Sequence, residues 1–271
     1  MENIVKQGRL VFAVAIIAFG VENLLCASYG VSSPKVFSGH TVLSVIPWVP
    51  AQAWLGYLTG LFLILAGLSI IANAKARLAA TALGVFFLLC VLLRINFIWE
   101  SRTVSFELLA MCGAALVLAG TLPSEARLAQ PWKSALDALI TSGRFIFGIT
   151  LVIFGMDHFL FLRFVASLVP PWIPWHLFWA FFFGCAMVAA GISIATKWMG
   201  RWAAMLIGTM FLVWFVVLHL PRTLGLAAAS GPGAPRNPNE WSSAMIALAM
   251  CGGSWICAWA LSNGLTDVAE A

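Results

Sequence analysis

Residues 54–93 read WLGYLTGLFLILAGLSIIANAKARLAATALGVFFLLCVLL, two uninterrupted apolar runs joined by a short turn that carries Lys75 and Arg77. Each run approaches the roughly 20 residues that an α-helix needs to cross about 30 Å of hydrocarbon. Charge is confined to the hinge, which is how a transmembrane helical hairpin places its cations in water. Continuous apolarity also separates this pattern from a membrane barrel, whose strands alternate polar and apolar positions over about 10 residues.

Working outward, the same pattern recurs along the chain. Candidate spans run from about Gly8 to Ala27, Ala51 to Ala72, Leu78 to Trp99, Val104 to Leu122, Gly143 to Leu162, Ile173 to Ala195, Met199 to Leu220 and Trp241 to Ser262. The first is read as a span and not as a cleaved signal peptide, because it is long and carries Glu22 and Asn23 near its far end. With 62% hydrophobic and 9% charged residues, against about 25% charged in a soluble domain, and a mean hydropathy of +0.98, a soluble fold is excluded. The expectation is an all-α polytopic membrane protein of eight transmembrane helices.

An even number of spans puts both termini on one side, and the distribution of Lys and Arg selects which. One side collects Lys6, Arg9, Lys75, Arg77, Arg127, Lys133, Arg144, Lys197 and Arg201; the other collects Lys35, Arg94, Arg102, Arg163, Arg222 and Arg236. The richer side is expected to be cytoplasmic, with both termini. The net charge of +5 is thereby a matter of topology and lipid contact, and no concentrated basic tract suggests nucleic acid.

The chain repeats itself. Gly8-Arg9, leading to Phe19-Gly20-Val21-Glu22-Asn23, is answered by Gly143-Arg144, leading to Phe154-Gly155-Met156-Asp157-His158, at a shift of 135 residues (143 less 8). Ile46-Pro47-Trp48-Val49-Pro50 then answers Pro170-Pro171-Trp172-Ile173-Pro174 at a shift of 124 (170 less 46), and Gly60, Gly67 and Arg77 recur as Gly184, Gly191 and Arg201. Ala110-Met111-Cys112-Gly113 returns as Ala249-Met250-Cys251-Gly252 at 139 (249 less 110). The changes of register fall in loops, where insertions are tolerated. The expected division is a first four-helix unit over 1–122, a cytoplasmic linker over 123–142 with a short interfacial helix near Ser134 to Ile140, and a second unit over 143–271. Four spans per copy give both copies the same orientation, so the expected architecture is two parallel-repeat four-helix bundles side by side. Gly60, Gly67, Gly84, Gly184, Gly191 and Gly208 suit close helix approach in lipid. The six cysteines, Cys26, Cys90, Cys112, Cys185, Cys251 and Cys257, form no CxxC pair and read as small packing residues.

The Gly-Arg that opens each unit, the Phe-Gly-x-x-x segment near the end of its first helix, the Gly-rich second helix and the basic turn resemble the DoxX family of bacterial membrane proteins, here in tandem. The resemblance implies a four-helix unit in a bacterial cytoplasmic (inner) membrane and an association with quinone-coupled or thiol-coupled redox complexes. It transfers no catalytic residue set.

Polar residues retained within lipid mark where chemistry is to be sought. Three of the four histidines, His158, His176 and His219, lie in the second copy, where the first has Asn23, Gln52 and Ile95. Asp157 and His158 at the end of span five, His219 at the end of span seven, Arg222 beyond it, and Glu240 at the start of span eight all fall at the non-cytoplasmic mouth. They are expected to form one ligand-binding pocket, roofed by Pro170 to Trp175. Asp157 and His158, about 100° apart on a helix, suit one small site less than His158 with His219, which with Glu240 would also offer a metal set. The alternative is a structural belt of ion pairs meeting water and lipid head groups. His176, Glu22 and Arg94 are secondary candidates, the last two grouped with Glu100, Arg102 and Glu107 as paired charges of the first copy.

No phosphate loop, dinucleotide fingerprint, serine elbow or zinc-protease helix is present. The remaining classes are a redox-associated membrane subunit binding a quinone or another lipophilic ligand, a non-catalytic scaffold for other membrane proteins, and a transporter. The near absence of polar residues at mid-span weighs against the last.

Overall fold

A computed structural model describes residues 2–29, 53–99, 102–123, 130–224 and 240–265. The helices are α1 (Glu2–Tyr29), α2 (Ala53–Ala72), α3 (Ala76–Leu93), α4 (Arg102–Gly120), α5 (Gln130–Leu160), α6 (Leu162–Leu168), α7 (His176–Thr196), α8 (Gly200–Trp214), α9 (Leu220–Thr223) and α10 (Glu240–Ser262). A 3₁₀ turn, Ile95–Phe97, follows α3, and a π-helical turn, Phe215–His219, joins α8 to α9. Among the described residues there is no strand, and eight helical segments are long and apolar enough to cross a membrane, with α8, the π turn and α9 acting as one. The Ile46–Pro50 segment, Gln52, Lys35, Glu100, Arg127, Arg236 and Asn239 lie outside the described residues.

Local sequence explains where the helices start and stop. The α2–α3 and α7–α8 turns are tight because Asn73, Lys75, Lys197 and Met199 all take left-handed backbone conformations, with φ of 57°, 52°, 66° and 51°. Pro174 and the left-handed Trp175 delay α7 to His176, three residues later than expected. Span three ends at Leu93, short of the expected Trp99. The expected interfacial helix at Ser134 to Ile140 is not separate: it forms the first turns of α5, which continues unbroken to Leu160. No proline interrupts that stretch beyond Pro131, and Gly143 is held by packing on α4, where a Cβ would stand 2.6 Å from that of Leu116.

In lipid there is little hydrophobic drive between helices, so close van der Waals approach decides which of them pair. The closest crossings occur at glycine. A Cβ at Gly252 would lie 2.5 Å from Phe12 N and one at Gly113 would lie 2.6 Å from Phe147 N. These contacts seat α1 on α10 and α5 on α4. α2 packs on α1, α7 on α5, α3 on α4, and α8 on α10, while α4 and α10 meet each other at the centre, where a Cβ on Gly253 would be 2.7 Å from that of Ala114. In α4 and α10, 72% of the span is buried, more than in any other described span. Pairing thus crosses the middle of the chain, and the eight spans share one core instead of forming two self-contained bundles. Phe12, Phe87, Phe147, Leu116 and Leu151 are fully buried within it.

The arginines of the Gly-Arg pairs tie helix ends together. Arg144 is 5% exposed and donates from Nη1 to the Ile194 carbonyl at 3.0 Å and to that of Ala195. A cation here satisfies carbonyls left open at the C-terminus of α7 and opposes the negative end of its dipole. Arg9 makes the corresponding reach to the Asn73 side chain at 2.9 Å, beyond the end of α2. Arg77 joins the start of α3 to the Leu122 carbonyl at 3.0 Å and to Asp137 of α5 at 3.3 Å.

Candidate functional site

The start of α4, the end of α5, the start of α7, the end of the α8–α9 span and the start of α10 converge on the face opposite the Lys75 and Lys197 turns. They enclose a cavity of about 310 Å³. α5 contributes Phe154, Asp157 and His158; α4 contributes Thr103 and Glu107; the π turn contributes Leu218 and His219; α10 contributes Ser243, Ile246, Ala247 and Met250. The inner wall is apolar and aromatic, built from Ala180, Phe183 and Met187 of α7 with Phe211 and Trp214 of α8. Trp214 meets Phe183 edge to face at 4.7 Å, and Trp179 stacks on Phe183 at 5.7 Å.

His219 reaches this wall because its helix widens. Pro221 has no N–H to offer the Val217 carbonyl and its ring crowds that turn. The backbone relaxes into the π turn Phe215–His219, and the Thr223 hydroxyl returns a hydrogen bond to the His219 carbonyl. Wide turns of this kind recur where a helix presents a side chain to a site. Nδ1 of His219 is buried and has no hydrogen-bond partner among the described residues. On the facing helix, His158 Nδ1 lies 2.8 Å from the Phe154 carbonyl. A carbonyl only accepts, so Nδ1 carries the proton, and in the neutral ring Nε2 is left as an acceptor.

Of the residues singled out by sequence, Asp157, His158 and His219 line the cavity, while Arg222 and Glu240 do not. Those two form an ion pair of 3.3 Å, with Glu240 only 8% exposed. Among the described residues no group of three or more His, Cys, Asp or Glu side chains is arranged to hold a metal, and Glu240 is engaged with Arg222 instead of joining the two histidines. The roof also differs from expectation. It is made by Phe161, Phe164, Val165, Leu168 and Val169, on and around α6, and not by Pro170 to Trp175, where Trp172 and Trp175 are 72% and 77% exposed. His176 begins α7 outside the lining.

The first-half candidates occupy other places. Glu22 is 7% exposed and accepts a 2.6 Å hydrogen bond from the Ser242 hydroxyl of α10. Arg94 is 2% exposed at the end of α3. Arg102 crosses to the second half and pairs with Asp157 at 2.6 Å while lying over the Trp99 ring.

Sequence reasoning assigned Glu107 to the first half's charge group, yet it faces the second half's cavity. Its carboxyl has no hydrogen-bond or ion-pair partner among the described residues. The signal was available as a carboxylate 5 residues into α4, the charge that insertion energetics disfavours. What hid its role was the assumption that α4 packs within its own half. Comparison of the chain with protein-family models, with characterised proteins and with solved structures gave no match.

Proposed function

We propose that the chain is a tandem, parallel duplication of a DoxX-like four-helix unit and that it binds a lipophilic ligand of the quinone class in the cavity of its second half, as a redox-associated subunit of a bacterial cytoplasmic membrane. The units are 1–122 and 143–271, joined by a cytoplasmic linker, with both termini cytoplasmic. Support for the duplication lies in contacts that recur at the sequence shifts. Gly20 lies against Gly60 and Ile64, as Gly155 does against Gly184 and Val188. The left-handed pair Asn73 and Lys75 returns as Lys197 and Met199, and the Asn23 amide donates to the Phe19 carbonyl at 2.8 Å where His158 donates to that of Phe154. In this reading the first helix of each unit is exchanged, seated on the last helix of the other.

The observation that carries the functional reading is the cavity itself. Small-molecule sites are typically concave spaces of roughly 300–1,000 Å³, apolar in the main, with a few polar groups that orient the ligand. A cavity of about 310 Å³ at that lower bound, aromatic inside and polar at one end, suits a ring head group with part of an apolar tail. Purified protein in lipid nanodiscs is expected to gain thermal stability on addition of decylubiquinone. Ala247→Phe, which fills the cavity, should abolish the gain, and an equal gain in that variant would sink the reading.

A second reading, a scaffold for other membrane proteins, is favoured by the ion pairs Arg102 with Asp157 and Arg222 with Glu240, which brace four helix ends with no ligand. It predicts no stabilisation by any lipophilic probe.

A further inference from the structure

The polar end of the cavity has a hydrogen-bonding sense of its own. Glu107 presents a carboxyl with no partner among the described residues, and a carboxyl keeps an acceptor oxygen whether or not it is protonated. His158 spends its Nδ1 proton on the Phe154 carbonyl, so its neutral ring has only a lone pair left to offer. The nearby cations stand outside the lining: Arg102 pairs with Asp157 and Arg222 with Glu240, each keeping a buried Nε with no hydrogen-bond partner among the described residues. Among the groups that line this end, Glu107 and His158 thus offer acceptors, the Thr103 and Ser243 hydroxyls can turn to serve in either sense, and His219 adds a ring nitrogen with no hydrogen-bond partner among the described residues. A hydrogen-bonding group shut away from water and left unmatched costs about 1–3 kcal/mol, so an occupant that closes over Glu107 and His158 suits them by bringing protons.

Depth sets the ligand's outline. Glu107 lies 5 residues along α4 from Arg102, about 7–8 Å deeper at 1.5 Å per residue, so the head group sits beneath the ion pairs and not among them. From His219 back to Phe211 the aromatic wall descends about 12 Å by the same rise, long enough for a ring and the first segment of a chain.

From these observations we infer that the cavity recognises an amphiphile whose head group donates hydrogen bonds, an O–H or N–H donor on an apolar tail, and discriminates against the same molecule with its donor capped. The inference rests on the cavity's being a ligand site, as proposed above, and adds the sense of recognition. For a ring of the quinone class it selects the reduced hydroxyl form over the carbonyl form.

The test uses matched probes and the unaltered full-length protein in nanodiscs. 4-Decylphenol and 4-decylanisole differ only in the capped hydroxyl, and the phenol should bind about tenfold more tightly, the factor expected for one additional buried hydrogen bond. Glu107→Leu should remove that preference, bringing the ratio of phenol to anisole affinity to about one. 4-Decylaniline identifies the donor: a preference shared with the phenol assigns any polar N–H or O–H, and one confined to the phenol assigns hydroxyl. Equal binding of phenol and anisole, with both lost in Ala247→Phe, would overturn donor recognition and leave the cavity as an apolar site. Binding of neither probe would overturn the ligand-site reading and this inference together.

Discussion

His219 shows how much of this site depends on single side chains set by their neighbours. The π turn Phe215–His219 carries its ring into the cavity lining, and its buried Nδ1 has no hydrogen-bond partner among the described residues. His219→Leu roughly keeps the side chain's volume, so it should leave expression and thermal stability near wild type while removing most of the stabilisation by 4-decylphenol; undiminished stabilisation would take His219 out of the site. Arg144 is the opposite case, a buried cation with a structural task. Arg144→Ala leaves the carbonyls of Ile194 and Ala195 open and should cost about 1.5–3 kcal/mol, the range for hydrogen bonds to charged groups. Arg9→Ala, whose hydrogen bond to Asn73 is solvent-exposed, should cost clearly less. Unfolding both variants in parallel checks the order. The Gly-Arg pairs were visible in sequence, as was the concentration of histidines in the second half, but their partners were not: a motif names the donor and says nothing of which distant carbonyl it meets.

At the scale of elements, two features carry the site. The π turn follows from Pro221, and Pro221→Ala should let α8 run on as regular helix, moving His219 by about 100° around the axis for one residue of register. The expected result is loss of ligand-dependent stabilisation with no loss, or a small gain, in thermal stability; retained ligand response would show that the turn is not needed. The glycine crossings are the second feature. Gly252→Leu and Gly113→Leu would each drive a side chain into backbone atoms of the facing helix, where relief requires the helices to separate. Each should cost about 1–3 kcal/mol or more, as overpacking does, and Gly113→Leu should also distort the cavity by lifting α5 from α4. Wild-type stability in either variant would remove these crossings from the account. Helix identity was legible from apolar run length alone. Helix ends were less so: α7 starts late because of Pro174 and Trp175, and the expected interfacial helix merged into α5, since no proline or unpacked glycine stood between them.

For the whole molecule, orientation is a property of charge on opposite faces. In a cysteine-free background, single cysteines at Lys75 and Trp172 should be labelled by an impermeant maleimide from opposite sides of the membrane, Lys75 from the cytoplasmic side; labelling of both from one side would overturn the eight-span arrangement. Sequence by itself determined that this chain lives in a bilayer, that it spans as helices and how many times, and which end of those helices gathers His158, Asp157 and His219. Those are consequences of run length, charge placement and alternation of direction, all of which are local or additive along the chain. Tertiary structure alone decided that α1 packs on α10 and α5 on α4, and so that Glu107 faces a cavity in the other half while Glu240 is spent on Arg222. Pairing in lipid is settled by how closely two backbones approach, a property of two surfaces at once, and no single stretch of sequence holds both.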